Sequence, residues 1–413
     1  MKSNRPWFRS SGYKHLDVPI GEAFAEKTAY PDFVVAHSWL PLIKYIKRTK
    51  RYKPKQGKTV FKERQIMYVS HRDACILKRY SLRLTELLDR HYSSNGLDST
   101  VIAYRKLGKA NYDFSADAFR FAVKMMPCSV LCFDITGFFD NLDHRILKDR
   151  LKRILGVNQL SEDWYRVFRA VTQFRTIERS DLQKHADFGS RFKDKSCRLI
   201  GTINDIKGAG VAMAENPNKF GIPQGTPISS ALSNLYLLDF DAKLFDFCTT
   251  HSCLYQRYSD DILVICPLGK EADIISAVEN SLKEHRLELA ADKTDQQKFD
   301  MRDPGVFQYL GFNVSPDGAV IRPSSLARQW RKFKRAINAA RRAGLEAISS
   351  GRSDKIYVSN LRRRFSPVGA RNFSSYARRA DKAFGKKKIT SQIGRLERRM
   401  DAEIRALQKN DGT

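Results

Sequence analysis

The sequence lacks the cysteine and histidine spacings that are typical of zinc sites, and it lacks the cysteine pattern of a disulfide scaffold. Its seven cysteines include no Cys-x-x-Cys pair, and several of them lie inside apolar runs. The last cysteine is Cys266 and the last histidine is His285, so the C-terminal part has none of the ligands that structural zinc prefers. These absences exclude a zinc finger in that part and argue against a disulfide scaffold. We expect reduced thiols in a cytoplasmic protein.

Long apolar runs are also absent. No stretch of 18 uncharged apolar residues occurs in the sequence, which excludes an ordinary membrane-spanning helix. The first residues, MKSNRPWFRSSGYKHLD, lack an apolar core of signal-peptide length. The sequence therefore predicts no membrane partner.

Acidic residues are scarce relative to basic ones. There are 45 Asp and Glu against 74 Lys and Arg, which gives a formal net charge of +29. From Ile321 to Thr413 there are 25 basic and 7 acidic residues, so +18 of this charge lies in the last 93 residues. A solvated basic face is one interpretation, but charge of this density repels itself without a polyanion, and nucleic acid is favoured over a membrane. We expect a separate basic lobe at the C-terminus.

The remaining composition is that of a folded protein. With 413 residues and 42% hydrophobic content, the chain is long enough for two or three domains or for one multi-lobed enzyme. Buried-strand and amphipathic-helix patterns alternate irregularly, which favours an α+β fold over a regular βαβ fold.

Individual elements follow from these patterns. A short helix is expected in SWLPLIKYIKRTKRYKPKQGK (38–58), and a strand that passes into a helix is expected over 63–92. SVLCFD (129–134) is typical of a buried strand, and helices are expected after it and through most of the basic tail. The polar segment from Arg175 to Lys219 predicts irregular surface insertions.

Three aspartates stand at the ends of apolar stretches. Asp134 closes VLCFD, and Asp260 and Asp261 stand together in QRYSDDILVI. A hairpin turn alone would explain the adjacent pair, but an aspartate that closes a buried strand is costly without a partner or a cation. If the two segments are sheet neighbours, their carboxylates converge on oxygen-ligated Mg²⁺. Two such ions roughly 3.5–4 Å apart would activate a 3′-hydroxyl and neutralise a triphosphate in nucleotidyl transfer.

Five short motifs occur in a particular order. They are FDITGFFDNLDH (133–144), GIPQGTPISSALSNLYL (221–237), YSDD (258–261), LAADKT (289–294) and YLGF (309–312). They resemble motifs A to E of reverse transcriptases, and in particular of the bacterial branch that contains group II intron, retron and defence-associated enzymes. One YxDD alone would be a weak signal, whereas five motifs in the family order are specific.

The resemblance implies a right-hand polymerase fold with fingers, palm and thumb. The implied regions are an N-terminal extension (1–60), fingers (61–125), a palm (126–320) with an interleaved fingers insertion at about 160–220, and a helical basic thumb (321–413).

The resemblance also assigns the metal site. Asp134, Asp260 and Asp261 are implied as the catalytic carboxylates, and Ile135 joins them as a metal ligand. Two Mg²⁺ ions are the implied cofactors, with Mn²⁺ as a substitute. A site built from His or Cys is not expected, and His144 is interpreted as a capping or core histidine.

Phe139 is the implied steric gate. It stands five residues after Asp134, where the family keeps an aromatic ring that clashes with a ribonucleotide 2′-hydroxyl, and this favours dNTPs. The alternative is a core residue like Phe138.

Further substrate-binding residues are implied less directly. They are Tyr258 in motif C, Gln224 and Gly225 in motif B, Lys293 in motif D, and Arg64 and Arg72 in the fingers. Glycine lets backbone approach the nascent pair, and glutamine can donate to sugar or template, although a plain loop-to-helix start is the alternative. The lysine would approach the leaving pyrophosphate or be merely solvated, and the arginines would clamp the triphosphate.

The N-terminal GYKHLDVPI and the compact length resemble type 2 defence-associated reverse transcriptases most closely. This implies a protein, favoured as a monomer with its RNA, that copies a partner noncoding RNA into cDNA from dNTPs during antiphage defence. The aromatic residues Trp7, Phe8 and Tyr13 are expected to read that RNA. Template-independent or protein-primed DNA synthesis, and a non-catalytic maturase-like RNA-binding protein, remain alternatives.

Overall fold

The computed structural model describes residues 6–53, 57–290 and 294–409. Its strands are β1 (Leu42–Lys53), β2 (Lys58–Tyr68), β3 (Cys128–Asp134), β4 (Arg175–Glu178), β5 (Ala214–Glu215), β6 (Leu254–Tyr258), β7 (Asp261–Pro267), β8 (Asp295–Phe299), β9 (Phe307–Tyr309), β10 (Phe312–Ser315) and β11 (Gly318–Ile321).

The helices surround three separate sheets. They are α1 (Glu22–Lys27), α2 (Pro31–Val35), α3 (His71–Ser94), α4 (Asn111–Met125), α5 (His144–Leu155), α6 (Glu162–Thr172), α7 (Arg179–Lys184), α8 (Ala186–Lys193), α9 (Ile203–Gly208), α10 (Ser229–Tyr236), α11 (Leu238–Thr250), α12 (Glu271–Glu284), α13 (Pro323–Ser349), α14 (Ser359–Phe365), α15 (Phe373–Phe384) and α16 (Lys388–Lys409). Within the described residues, none of these helices is both long and apolar enough to cross a membrane.

The central sheet has the strand order β6-β7-β3-β8, and all its pairs are antiparallel. Its middle strand β3 is the buried strand that the sequence predicts. Leu131 and Phe133 of this strand enter one hydrophobic core, while Cys128 and Val130 enter a second core. Because successive strand side chains point to opposite faces, one strand serves both cores. All seven cysteines are free thiols, as expected.

The helix expected over 38–58 is wrong. Leu42–Lys53 forms β1, which pairs antiparallel with β2 in unbroken register from Ile43↔Tyr68 to Lys53↔Lys58. Isoleucine, tyrosine and threonine fit a paired strand well, and the partner strand decides the outcome. The pattern over 63–92 is confirmed, because β2 passes into α3, whose first turn is capped by Ser70.

The segment from Arg175 to Lys219 is more ordered than its polarity predicts. Its strand β4 pairs with β1, and β5 pairs with β4. Buried side chains from this segment form a small core with the N-terminal part of the chain; they include Ile177, Leu182, Phe188, Ile200 and Ile206 together with Leu16 and Ile43. The expected surface insertion is therefore a packed subdomain.

The C-terminal helices confirm the predicted helical tail. Helices α13, α14 and α16 enclose their own core around Phe333, Phe365 and Ile404. Helix α15 instead packs on α4 and on the three-stranded sheet β11-β10-β9. This arrangement joins the basic unit to the central sheet through that small sheet.

Candidate active site

Three carboxylates meet at one end of the central sheet. The antiparallel register of β3 and β7 places Asp134 opposite Asp261. Asp260 immediately precedes Asp261, in the tight turn that joins β6 to β7. The expectation that the two motif strands are sheet neighbours is confirmed by this register.

The charges at this end of the sheet repel one another. Asp261 is exposed at the cleft, yet loss of hydration among the surrounding protein atoms raises the pKa of its carboxyl to about 6, and the charges of Asp260 and Asp134 add to the effect. Two nearby cations lower the pKa of Asp261 instead: Lys62 of β2 and Arg322 at the start of α13. Electrostatics therefore favours a bound cation at this position.

The donor atoms here suit a magnesium ion. The Asp134 carbonyl accepts a hydrogen bond from the Ala290 amide at 2.8 Å. Successive backbone carbonyls of a strand point to alternate sides, so the Ile135 carbonyl faces the β7 side. Since the Ile135 side chain is apolar, this carbonyl is the only group through which the residue can bind a metal ion. In the part of the chain that is described, no group of three or more His, Cys, Asp or Glu side chains is placed to hold a metal ion. A partial set of oxygen donors still fits Mg²⁺, which keeps several waters and takes substrate phosphates as further ligands.

The turn that carries Asp260 rests on a buried arginine. Arg257 is fully buried and forms a two-pronged ion pair with Asp241 of α11, with both N–O distances 2.6 Å. Its Nη1 atom also donates to the Ser259 carbonyl at 3.0 Å. Ser259 has φ of 61°, a left-handed conformation that is uncommon outside glycine. Arg257 thus holds the strained residue directly before Asp260.

The same network links the turn to motif B. Arg257 Nη1 donates to Asn234 of α10 at 3.2 Å, and the Asn234 amide donates to the Ala103 carbonyl at 2.9 Å. The Tyr255 hydroxyl donates to Asp241 at 2.7 Å. A buried charge pair with these extra hydrogen bonds favours one geometry for the turn.

Tyr104 supports the turn from the other side. Its hydroxyl donates to the Ser259 hydroxyl at 3.2 Å, and its ring centroid lies 6.2 Å from that of Tyr258. Tyr104 also has a left-handed φ, 63°. Burial raises the pKa of its hydroxyl, and the nearby charge of Asp260 adds to this. Tyr258 and Tyr104 therefore form an aromatic border beside the carboxylates.

Phe139 lies in a 3₁₀ turn (Phe138–Asp140) that follows β3. Its ring is half-buried against the larger core, with its centroid 5.5 Å from that of the buried Phe138. The Phe139 carbonyl accepts the Ile222 amide at 2.9 Å, which attaches the motif A turn to the motif B loop. Its role as a steric gate stays a prediction.

The motif B loop also contacts the β1–β2 hairpin. The Met67 amide donates to the Gln224 carbonyl at 2.9 Å. Gly225 has φ of 127°, and a Cβ atom there would lie 2.7 Å from the Met67 carbonyl oxygen. Only glycine fits this close approach of two backbones, so Gly225 lets the motif B loop pack directly on the hairpin.

One face of β2 is directed at the carboxylates. This face carries every second residue of the strand, namely Lys62, Arg64 and Ile66. The Ile66 side chain borders Gly225, and the charge of Lys62 lowers the pKa of Asp261. Arg64 therefore shares the cleft face. Its predicted binding of triphosphate remains untested, while Lys62 on the same face has no motif to mark it.

Arg72 lies in different surroundings. Its guanidinium is 6.0 Å from the Phe24 ring centroid, at a cavity of about 580 Å³ between α1, α2 and the start of α3. Its described contacts are with this N-terminal region and not with the carboxylates, because the residue opens α3 instead of continuing the β2 face. Lys293 lies outside the described residues.

Two other expectations concern residues with structural partners. His144 opens α5, and its ring bonds the Gly221 carbonyl at 2.7 Å, as expected of a structural histidine.

Tyr13 stacks on His71 with ring centroids 4.1 Å apart and donates to the Val69 carbonyl at 2.9 Å. Because this ring is already stacked inside the protein, Tyr13 is a poor candidate for RNA stacking.

Arg257, Asp241 and Tyr104 carry no motif that identifies them from sequence. One signal was available for Arg257, since an arginine inside the apolar pattern LYQRYSDDILVI needs a buried partner. The partner itself follows only from the packing of α11 on β6.

Residues 54–314 match the family described as reverse transcriptase (RNA-dependent DNA polymerase). The chain belongs to the reverse transcriptase family. The match contains all five motifs and both strands that carry the carboxylates, and the expected α+β polymerase fold is confirmed. It does not distinguish among the branches of the family.

Solved polymerases resemble this reverse transcriptase at low identity. Apo telomerase from Candida tropicalis, truncated from its C-terminal domain, is 12% identical, with 74% of this chain and 62% of that chain covered and a TM-score of 0.43. Telomerase from Candida albicans in complex with a fragment of telomeric RNA is 14% identical over 71% and 47% of the two chains, with a TM-score of 0.43. The RNA-dependent RNA polymerase of a human picobirnavirus is 13% identical over 67% and 43%, with a TM-score of 0.35.

The chain thus spans between about two fifths and three fifths of the length of these solved chains. No curated protein matches it. These scores and identities are too low for a substrate or a partner to be inferred.

Proposed function

We propose that this reverse transcriptase is an active RNA-directed DNA polymerase that copies a partner noncoding RNA into cDNA by two-metal-ion nucleotidyl transfer. The observation that carries the proposal is the register of β3 and β7, which pairs Asp134 with Asp261, the residue after Asp260. Burial, together with the charges of Asp260 and Asp134, raises the pKa of Asp261, and carboxyls perturbed in this way are common at functional sites.

The metal site would consist of Asp134, the Ile135 carbonyl, Asp260 and Asp261. Bound Mg²⁺ would supply activation of the attacking 3′-hydroxyl and neutralisation of the triphosphate. The protein supplies position: Arg257 fixes the turn before Asp260, and the Ile222–Phe139 hydrogen bond fixes motif A against motif B. Pre-set geometry of this kind lowers the barrier without any movement during the reaction.

Nucleotide selection is proposed to occur between Phe139 and the motif B loop. The half-buried Phe139 ring would exclude a 2′-hydroxyl, and Gln224 and Gly225 would contact the nascent pair. Lys62 and Arg64, on the cleft face of β2, would hold the triphosphate. Lys62 is added to the predicted set because it already acts on Asp261.

The regions are proposed to follow the family plan. The extension would be 1–60, the fingers 61–125, the palm 126–320 with its insertion at about 160–220, and the thumb 321–413. Strand β4 pairs with β1 of the extension, and β1 pairs with β2, most of which belongs to the fingers. This shared sheet supports joining the insertion to the extension and the fingers. The basic helices α13 to α16 support a thumb that holds nucleic acid backbones.

A role in antiphage defence, with a dedicated RNA, is the finer part of the proposal. It depends on the resemblance of the sequence to type 2 defence-associated enzymes and on the net charge of +29. A monomer bound to RNA in the cytoplasm is proposed with it.

Sequencing the nucleic acid that copurifies with the protein tests the partner, and dNTP incorporation tests the activity. We expect one dominant structured RNA encoded beside the gene, copied with Mg²⁺ without an added primer–template. Asp134→Asn and Asp260→Asn should each reduce incorporation by about a thousandfold or more while the protein still folds and binds RNA. Synthesis without any RNA would favour the template-independent alternative, and a random RNA mixture copied equally well would contradict a dedicated template.

The N-terminal aromatic residues provide a separate test of RNA selection. Trp7 and Phe8 are partly exposed, and Trp7 contacts the Arg79 guanidinium at 5.0 Å. Trp7→Ala with Phe8→Ala should reduce selectivity for the cognate RNA more than synthesis on a generic primed template. This double variant is preferable to a deletion, because Asp17 caps the start of α3.

A further inference from the structure

A basic cavity lies between α13, α14 and α15. Its volume is about 720 Å³, and its lining includes four cations, Lys332, Arg363, Arg364 and Arg371, with Gln329, Phe365, Asn372, Phe373 and Tyr376. Among the described residues, no carboxylate lines it. We call these four cations and the space between them the cation cavity. Its size is in the range of pockets that hold a small organic ligand, larger than one phosphate requires.

The four cations keep their charge unneutralised within the described part of the chain. Four carboxylates of the same unit pair with other cations, in Lys334–Glu403, Arg352–Glu346, Arg378–Glu397 and Arg405–Asp401. Lys332 and Arg371 have no ion pair or hydrogen bond among the described residues, Arg363 reaches only the neutral Asn360 at 3.5 Å, and Arg364 lies over the Phe365 ring. These four acids therefore neutralise cations on other faces, and no carboxylate of the described residues lines this cavity.

The wall of the cavity is closely packed. A Cβ atom at Gly369 would lie 2.0 Å from the Arg363 carbonyl oxygen, so the loop after α14 packs directly on that helix. The Asn372 amide donates to the Arg363 and Ser366 carbonyls, at 3.2 and 2.7 Å, while its oxygen caps α15. The positive end of the α15 dipole adds to the field of the four cations.

The cavity lies close to the polymerase cleft. Tyr376 stacks on Phe312 of β10 with ring centroids 6.4 Å apart. Arg322, whose charge lowers the pKa of Asp261, stands just before α13. At the usual helical rise, the cavity residues Gln329 and Lys332 lie about 10–15 Å further along that helix. A strand that leaves the carboxylates would pass this cavity within a few nucleotides.

We propose that the cation cavity binds one unpaired nucleotide of the partner RNA. The arginines and Lys332 would hold its phosphates, and the base would lie against Phe373. Positive charge combined with an aromatic face is the arrangement that binds single strands. A paired backbone cannot place a nucleotide in a cavity, whereas loops of a structured RNA present unpaired ones. This inference rests on the proposed function for the identity of its ligand.

Ala370→Trp tests the cavity without changing any charge. Ala370 is exposed on the lining, so a larger side chain would fill the space at little cost in stability. The affinity of the nucleic-acid-free protein for a short single-stranded RNA should fall about tenfold, as expected for one lost base stack. Its salt dependence should stay the same, and binding to a duplex with as many phosphates should change little.

A second pair of variants separates position from charge. Arg363→Gln, Arg364→Gln and Arg371→Gln together should lower the slope of log affinity against log salt by roughly 2. The matched control carries Arg335→Gln, Arg341→Gln and Arg342→Gln, three exposed α13 cations outside the cavity. Circular dichroism melting confirms that both triple variants fold. The control should lose less affinity for single-stranded RNA.

Three results would overturn the inference. The first is unchanged RNA affinity of Ala370→Trp, and the second is an equal loss of RNA affinity in the two triple variants. The third is that Ala370→Trp weakens binding of single-stranded DNA more than binding of single-stranded RNA. Extension of a primed RNA template by the wild-type protein is measured alongside. If extension fails while Ala370→Trp still weakens RNA binding, the polymerase proposal fails and the cavity stands.

Discussion

The central sheet and the C-terminal helices hold their arginines in opposite states. Arg257 is fully buried, pairs with Asp241 through two nitrogens and donates to the Ser259 carbonyl. Arg371, by contrast, is exposed on the cation cavity, where no carboxylate is found among the described residues. Arg257 therefore stabilises internal geometry, whereas Arg371 is available to bind an external anion.

This difference relates charge to function within one chain. A buried arginine needs an internal carboxylate, since an unpaired buried charge is very costly. An exposed arginine costs the folded protein little, but a dense group of them raises the self-repulsion of the compact state until a polyanion binds. The net +18 of the last 93 residues is therefore informative about partners, while the carboxylates and the arginine near the catalytic end are informative about chemistry.

The same substitution in both regions gives the largest expected contrast. Arg257→Met should lower the free energy of unfolding by about 3–5 kcal/mol, because Asp241 is left buried without its partner. Arg371→Met should change it by no more than about 0.5 kcal/mol, as is usual for an exposed position. Urea unfolding with matched m-values measures both. Equal stabilities of the two variants would contradict the comparison.

A double variant separates stability from positioning. Arg257→Met with Asp241→Leu removes both buried charges and should recover much of the stability. DNA synthesis should not return with it, because the Ser259 carbonyl still lacks its donor and the turn before Asp260 is freed. Recovery of activity along with stability would mean that Arg257 only stabilises the fold.

Gly225→Ala should give the next largest effect, at the joint between the hairpin and the motif B loop. The new Cβ would lie 2.7 Å from the Met67 carbonyl oxygen at a φ of 127°. We expect a loss of about 1–3 kcal/mol in stability and a loss of about a hundredfold in synthesis if the hairpin shifts by an ångström. The control is Gly208→Ala, where a Cβ meets nothing within 4 Å, and unchanged synthesis in both variants would show that the joint is not needed.

The sequence predicts the carboxylates at the end of the central sheet better than the parts that support them. The carboxylates can be predicted because each stands at the end of an apolar stretch within a family motif, and the strand pattern of 129–134 is unambiguous. The β1 strand cannot be predicted from its own residues, since Leu42–Lys53 becomes a strand by pairing with β2. A local pattern gives no information about a partner ten or more residues away.

The supporting residues of the site show the same limit. Arg257 stands two residues before Ser259, but its partner Asp241 belongs to α11, and only the packed structure brings the two together. Lys62 and Arg64 share a face of β2, but the family motifs point only to Arg64, and its binding of triphosphate stays a prediction. Arg72 contacts the Phe24 ring in the N-terminal region, and its binding of triphosphate stays a prediction.

Phe139→Ala tests a contact at the border between the buried core and the cleft. Removing the half-buried ring should reduce discrimination against ribonucleotides by about tenfold to a hundredfold, with a smaller change in dNTP turnover. Competition between a dNTP and its ribonucleotide on one template measures the ratio. The control, Phe138→Leu, changes the buried neighbour and should lower stability by about 1 kcal/mol without altering discrimination. If the wild-type protein already uses both nucleotides equally, the gate assignment is wrong.

The smallest expected effect compares two arginines of the same C-terminal unit. Arg405 pairs with Asp401 at 2.6 Å, whereas Arg371 borders the cation cavity. Because only a cation that contacts a phosphate releases counterions, Arg371→Gln should lower the slope of log RNA affinity against log salt by roughly 0.7–0.9. Arg405→Gln removes the same charge but should leave that slope unchanged, since its partner carboxylate already neutralises it locally. Titrations of one RNA at several salt concentrations measure both slopes, and equal changes would show that overall charge, and not the distinction between paired and unpaired arginines, governs RNA binding.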